Sequence, residues 1–222
     1  RKQKNKNKTL IELFVKHNNC FVLPAYPFIE HGIVEYKEAC TEQNTTTQAV
    51  YTFNGLLRPY QVNACSHVLK WLQRLRCGLL QADPAAGKTV MLLYLCSILK
   101  QKTLIVVHTT KLLHQWVSEI PLWLPNVNVG IYKGQKRPDS DANVVVASLQ
   151  TLMRREVDEL DIANYKCVMV DEVHHVCAAS FSKAMMVVNP LYVLGCTATL
   201  SRTDHLDGII EVLTGPLLYQ LR

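Results

Sequence analysis

The chain has 222 residues, of which 49% are hydrophobic and 19% charged; this is the make-up of a globular protein with room for one large α/β domain plus an extension. It contains no apolar run of about eighteen residues, so no membrane span is expected, and no secretory leader is visible. The formal charge is +6, but five of the positive charges fall in residues 1–8, so the globular part need not be basic all over.

That tail, Arg-Lys-Gln-Lys-Asn-Lys-Asn-Lys, reads as a disordered, solvated end, with contact to phosphates as the alternative. The chain begins with Arg1 and not Met, so a fragment or processed product is expected. Residues 9–36 carry Leu10, Ile11, Leu13, Phe14 and Val15, then Phe21 to Phe28, and read as a short helix followed by an extended piece. Residues 41–49 read as a linker. The organisation expected is a basic tail 1–8, an extension 9–55 and one domain over 56–222.

From Pro59 the pattern changes. Pro59 suits the first turn of a helix, and Val62, Cys65, Val68, Leu69, Leu72 and Leu75 follow at helical spacing. Short apolar runs then alternate with helical stretches. The runs are Cys77–Ala82, Thr103–His108, Val127–Tyr132, Asn143–Ser148, Cys167–Asp171 and Tyr192–Cys196; the helical stretches are Thr89–Lys100, Lys111–Leu122 and Ser180–Val188. Runs that are apolar without alternation mark strands buried on both faces. Alternating βα units imply a mainly parallel sheet with helices on both faces.

The eight cysteines (20, 40, 65, 77, 96, 167, 177 and 196) include no C-x-x-C pair, which argues against a zinc module or disulfide framework. Reduced core cysteines in a cytoplasmic or nuclear compartment are the simpler account.

Three motifs carry chemistry. The first is Ala82-Asp83-Pro84-Ala85-Ala86-Gly87-Lys88-Thr89, a phosphate-binding loop between a strand and a helix. Its backbone N–H groups can cradle phosphates, Lys88 would reach the β- and γ-phosphates of ATP, and Thr89 would ligate Mg²⁺. Ala82 stands in place of the first glycine of G-x-x-x-x-G-K-T, and Ala85 also occupies a position where many helicases have glycine, so the loop should be stiffer than usual. The second is Asp171-Glu172-Val173-His174 at the end of an apolar strand, where an acidic pair is costly unless a metal or reaction uses it. Asp171 would hold Mg²⁺ and Glu172 would orient and deprotonate the attacking water. The alternative is a strand ending in a solvated acidic turn. His174, His175 and Cys177 could suggest a metal site, but no second ligand cluster accompanies them, and His174 fits better as a neutral hydrogen-bonding link. The third is Thr197-Ala198-Thr199, whose two hydroxyls can bond the acidic pair and the histidine.

Together these motifs resemble superfamily 2 helicases of the DExH group, and Leu57-Arg58-Pro59-Tyr60-Gln61 resembles the segment that opens XPB-type members. The resemblance implies a RecA-like ATP-binding domain over residues 56–222, an ATP- and Mg²⁺-dependent motor acting on nucleic acid, and an adenine-reading role for Gln61 helped by Arg58. Arg202-Thr203-Asp204 falls where the group has Arg-Glu-Asp, and with Thr197 and Thr199 it is expected to couple ATP to movement. His108-Thr109-Thr110-Lys111 with Gln115, and Ser148 to Thr151, match the segments that grip one strand's phosphates without reading sequence. The alternative for each is a capping turn. Trp71, Trp116 and Trp123 are expected in the core. The XPB-like features favour DNA over RNA. Related viral helicases share Leu112-Leu113-His114-Gln115-Trp116, so a viral origin acting in a host cell is open.

Superfamily 2 motors have a second RecA-like domain that supplies arginine fingers, and no such half is recognisable here. Weak nucleotide binding and poor hydrolysis are therefore expected of this piece, since such a finger contributes about 10³–10⁵ in turnover. Two other readings stay open: a translocase of the restriction or remodelling type, and a non-catalytic module that binds nucleotide and nucleic acid.

Overall fold

The structure, a computed structural model, describes residues 15–17, 20–22, 51–154, 164–175, 185, 188, 190–199 and 207–221. In chain order the elements are β1 (Val15–His17), β2 (Cys20–Val22), α1 (Pro59–Leu75), β3 (Cys77–Ala82), α2 (Lys88–Leu99), β4 (Thr103–Val107), α3 (Thr110–Trp123), β5 (Val129–Tyr132), β6 (Val144–Ser148), α4 (Leu149–Arg154), β7 (Cys167–Asp171), β8 (Tyr192–Thr197), α5 (Asp207–Thr214) and β9 (Leu217–Leu221). A 3-10 turn, Val173–His175, follows β7.

β1 and β2 form a small antiparallel pair. Val15 therefore lies in a strand, not in the short helix expected from its apolar neighbours; those before it lie outside the described residues.

The other seven strands make one parallel sheet in the order β5-β6-β4-β7-β8-β3-β9. Their side chains alternate between two cores, as the two-residue period of a strand requires. Leu80, Ala82, Ile105, Val107, Val144, Val146, Met169, Leu194 and Cys196 face one core, which α1, α2 and α3 cover. Leu79, Leu104, Val106, Val145, Ala147, Val168 and Val170 face the other, with Leu149 and Leu152 of α4 and Ile210 of α5. Burial on both faces explains why these strands read as unbroken apolar runs. Of the Ser180–Val188 helix, only Met185 and Val188 are described; both are helical and buried.

α2 is buried on most of its surface and packs between α1 and α3, which accounts for its nearly continuous apolar sequence. The core also takes in residues before position 56. Tyr51 is buried, with its hydroxyl bonded to the carbonyls of Gln101 (2.7 Å) and Asn143 (3.1 Å), and Phe53 stacks on Trp123. No helix among the described residues is long and apolar enough to cross a membrane.

Candidate functional site

Because the sheet is parallel, every strand delivers its carboxyl end to the same edge, where α/β sheets place their ligands. The strand order divides that edge. The neighbours β3, β8 and β7 bring the phosphate loop, Thr197-Ala198-Thr199 and Asp171-Glu172 together. The neighbours β4 and β6 bring His108-Thr109-Thr110-Lys111 and Ser148 alongside.

In the phosphate loop Ala85 and Gly87 both have left-handed backbone, with φ of 65° and 79°. Gly87 suits that conformation; Ala85 adopts it at a cost. A Cβ at Gly87 would also collide with Nε2 of Gln61. The N-terminus of α2 has no side-chain cap, so its first amides point from Gly87, Lys88 and Thr89 toward the loop without a side-chain acceptor. An uncapped helix start behind a left-handed loop fits the phosphates of a nucleotide. Ala82, where a glycine was expected by pattern, is the fully buried last residue of β3.

Lys88 Nζ lies 2.9 Å from Glu172 Oε1, and Gln81 Nε2 donates to the carbonyl of Ala198 at 3.2 Å. Thr197 is fully buried at the centre of the cluster. Its Oγ1 is 2.6 Å from His174 Nδ1, 2.7 Å from the Thr199 carbonyl and 3.4 Å from Glu172 Oε2. A hydroxyl has one proton, and the Thr199 carbonyl is the near acceptor that can only accept. With the hydroxyl donating there, His174 Nδ1 carries a proton and donates it to Thr197 Oγ1. Thr199 contributes through its backbone, since its N–H also donates to Thr197 Oγ1 at 3.2 Å.

The two carboxylates differ. Burial pushes the Asp171 carboxyl above its ordinary value, opposed in part by a hydrogen bond from Trp116 Nε1 to Oδ2 at 2.8 Å. Burial also works to raise Glu172, but the hydrogen bond and charge of Lys88 outweigh it, and the net shift is downward. Glu172 is therefore held ionised at neutral pH. It has left-handed backbone (φ 51°), a strained conformation of the kind that clusters at functional sites. Thr89 and Asp171 offer hard oxygen donors on adjoining elements. Among the described residues no group of three or more His, Cys, Asp or Glu could hold a metal by itself. One carboxylate, one hydroxyl and the substrate's own phosphates are a donor set suited to Mg²⁺.

Other expected residues are placed differently from the simplest reading. Gln61 is buried, its Oε1 accepting from the Arg58 N–H (2.9 Å) and its Nε2 donating to the Ala86 carbonyl (3.1 Å). Each bond uses half of the amide's capacity, so one Nε2–H and one Oε1 lone pair stay available to a ligand. Arg58 is exposed, with Nη1 donating to the Tyr60 hydroxyl. Thr109 caps α3 by accepting from the Leu112 N–H at 3.2 Å, while Thr110, Lys111 and Gln115 are exposed. Ser148 and Thr151 are buried; Ser148 Oγ accepts from the Thr151 N–H, and Thr151 Oγ1 accepts from the Gly134 N–H. Arg202 and Asp204 lie outside the described residues.

Sequence reasoning missed two contacts. Trp116, assigned to the core, is in the core and also bonds Asp171. His108, His175 and His174 pack in series with tilted rings, 4.1 and 4.0 Å between centroids, from the end of β4 to the acidic motif. Burial, then the neighbouring His175, lowers the His108 pKa. A buried indole N–H needs an acceptor; the sequence could not say that it sits 55 residues away.

A family profile described as the res subunit of type III restriction enzymes (ResIII) matches residues 54–202. The chain belongs to this family. Among curated relatives, the DNA 3'-5' translocase XPB2 of Sulfurisphaera tokodaii is 34% identical over 164 residues, covering 74% of this chain and 35% of the relative. An Acanthamoeba polyphaga mimivirus protein named for ATP-dependent RNA helicase activity is 28% identical over 208 residues, covering 93% of this chain and 40% of the relative. The chain thus spans well under half of either. Among solved structures, the SWI2/SNF2 ATPase core of Sulfolobus solfataricus in complex with double-stranded DNA superposes with a TM-score of 0.60 at 19% identity, over 75% of this chain and 37% of that one. The UvsW helicase of bacteriophage T4 gives a TM-score of 0.59 at 21% identity, over 77% and 63%. The fold is that of the first RecA-like domain of superfamily 2 motors.

Proposed function

We propose that this chain is the nucleotide-binding half of an ATP-dependent DNA helicase or translocase. The observation that carries the reading is the convergence of Lys88, Glu172, His174 and Thr197 around an uncapped helix N-terminus. Main-chain amides at the start of α2 hold the phosphates, and Lys88 leaves Glu172 to neutralise them. Thr89 and Asp171 would hold Mg²⁺, which when bound supplies positive charge against the phosphate oxygens. Glu172, kept ionised by its surroundings, orients a water and takes its proton. The Ala198 N–H donates to Glu172 Oε2 at 3.4 Å, and His174 Nδ1 lies 3.4 Å from the same oxygen, so β8 and the acidic motif hold the carboxylate between them. Any shift of Glu172 on loss of the γ-phosphate therefore reaches β8 and the segment after it.

The exposed Thr110, Lys111 and Gln115 at the start of α3 offer a track for one strand's phosphates, contacts that position without reading bases. Ser148 caps the first turn of α4 by accepting from the Thr151 N–H, and Thr151 holds the Gly134 N–H behind that turn. DNA is preferred to RNA because the XPB2 relative is named a DNA translocase; the mimivirus relative's name keeps RNA as an outcome of the test. Catalysis to full rate is assigned to a second RecA-like domain contributed from outside these residues.

The test is the ATPase rate of the full-length protein alone and with duplex DNA, single-stranded DNA or RNA, beside a Glu172→Gln control. Stimulation by DNA that the control abolishes supports the motor. Stimulation by RNA alone would overturn the DNA assignment, and no stimulation at all would leave a nucleotide-binding module. Strand-separation assays then divide helicase from translocase.

A further inference from the structure

Asp171 is held by a side chain from a distant element. It is 7% exposed, and the nearby ammonium of Lys88 pairs with Glu172 instead. Trp116 Nε1 donates to its Oδ2 at 2.8 Å. Trp116 is itself 1% exposed, in the core that covers one face of the sheet. Apolar packing there could be supplied by any large side chain; the one polar atom of the indole is directed at the carboxylate. A carboxylate turns freely about its last single bond, so a hydrogen bond to one oxygen fixes the direction in which the group is presented. The same helix exposes Lys111 and Gln115 to solvent.

We propose that Trp116 is a positioning residue for magnesium: its indole N–H orients Asp171 for Mg²⁺–nucleotide and ties that carboxylate to α3, the helix that also faces the nucleic-acid track. The proposal rests on the reading of Asp171 as the magnesium carboxylate. Outer partners of this kind set ligand orientation, and their removal lowers metal affinity by about 10- to 100-fold.

The experiment is calorimetric titration of the full chain with ADP, in MgCl2 and in EDTA, for the wild type and for Trp116→Phe, which keeps the aromatic packing and removes the N–H. In EDTA the two proteins should bind ADP within about two-fold of each other. The gain in affinity from Mg²⁺ should be smaller in the variant by about ten-fold or more. An equal gain in both proteins, or an equal loss with and without Mg²⁺, would overturn the proposal, the latter because it marks a structural role only. A wild type that gains nothing from Mg²⁺ would overturn the reading of Asp171 itself. Should Trp116→Phe fail to fold, the indole ¹⁵N–¹H signals of the wild type, assigned with Trp71→Phe and Trp123→Phe, decide the matter. The Trp116 signal should move with Mg²⁺–ADP and stay in place with ADP in EDTA; no movement with Mg²⁺–ADP would overturn the proposal.

Discussion

Lys88 and Glu172 form an ion pair, 2.9 Å from Nζ to Oε1, between side chains that are 14% and 22% exposed. On the proposed reading, the residue that meets the phosphates is thereby tied to the residue that meets the water. A nucleotide has to draw Lys88 away from this partner, and the pair opposes binding. Glu172→Gln should therefore bind ATP about two- to five-fold more tightly, as expected for a partly exposed pair contributing ~0.5–1 kcal/mol. Its hydrolysis should fall by about 10² or more. Fluorescence titration with a labelled nucleotide checks the first part, and an unchanged or weaker affinity would show that the pair does not restrain Lys88.

Ala85 sits at φ 65°, where an alanine is strained by about 1–2 kcal/mol. Glycine removes that strain and returns up to ~1 kcal/mol of it as chain entropy in the unfolded state. Ala85→Gly should then be neutral to stabilising by about 1 kcal/mol, and Ala85→Val destabilising by more than that. Chemical denaturation of the three proteins provides the comparison; a clearly destabilised glycine variant would mean that the left-handed conformation is not intrinsic to the loop.

Much of this domain was legible because its physics is local. Cys167–Asp171 reads as an unbroken apolar strand since both faces of β7 are covered, and the expected boundaries match those observed. Pro59, Gly87 and the acidic pair announce their positions by covalent character alone. What was not legible is tertiary. The strand β9 pairs along β3 through residues 217–221, a pairing that no local pattern in the sequence announces. Ser148 and Thr151 face inward because α4 begins directly at Leu149, a helix not expected from sequence. Gln61 also braces the phosphate loop, a contact outside the adenine-reading role that its motif implies. Its two internal bonds depend on where the Ala86 carbonyl lies, which no spacing specifies.

Burial raises the thiols of Cys65, Cys77 and Cys96 from 9.0 to about 12, and those of Cys167 and Cys196 higher still. A raised acid pKa means that the folded state keeps its proton where the unfolded state has lost it. Stability contributed by these groups is thus fully present below pH ~9 and is lost as pH rises from there toward ~12. Denaturation midpoints should hold between pH 7 and 8.5 and fall steadily above 9. Alkylation at pH 8 followed by peptide mass spectrometry should leave these five cysteines unmodified until denaturant is added. Rapid labelling of any of them in the native protein would contradict the burial.

Lys111 is exposed at the start of α3, whereas the hydroxyls of Ser148 and Thr151 are occupied inside the fold. The two sets should respond oppositely. Lys111→Ala should weaken nucleic-acid binding uniformly across sequences and reduce the slope of log affinity against log salt by about one unit, the signature of one lost phosphate contact. Thr151→Ala removes the acceptor for the Gly134 N–H and a partner of Ser148, so it should cost about 1–2 kcal/mol of stability. Its salt slope should stay that of the wild type. Fluorescence anisotropy over a salt series with a labelled DNA strand separates the two effects. A reduced slope in Thr151→Ala would place that hydroxyl on the phosphates; an unchanged slope in Lys111→Ala would move the track away from α3.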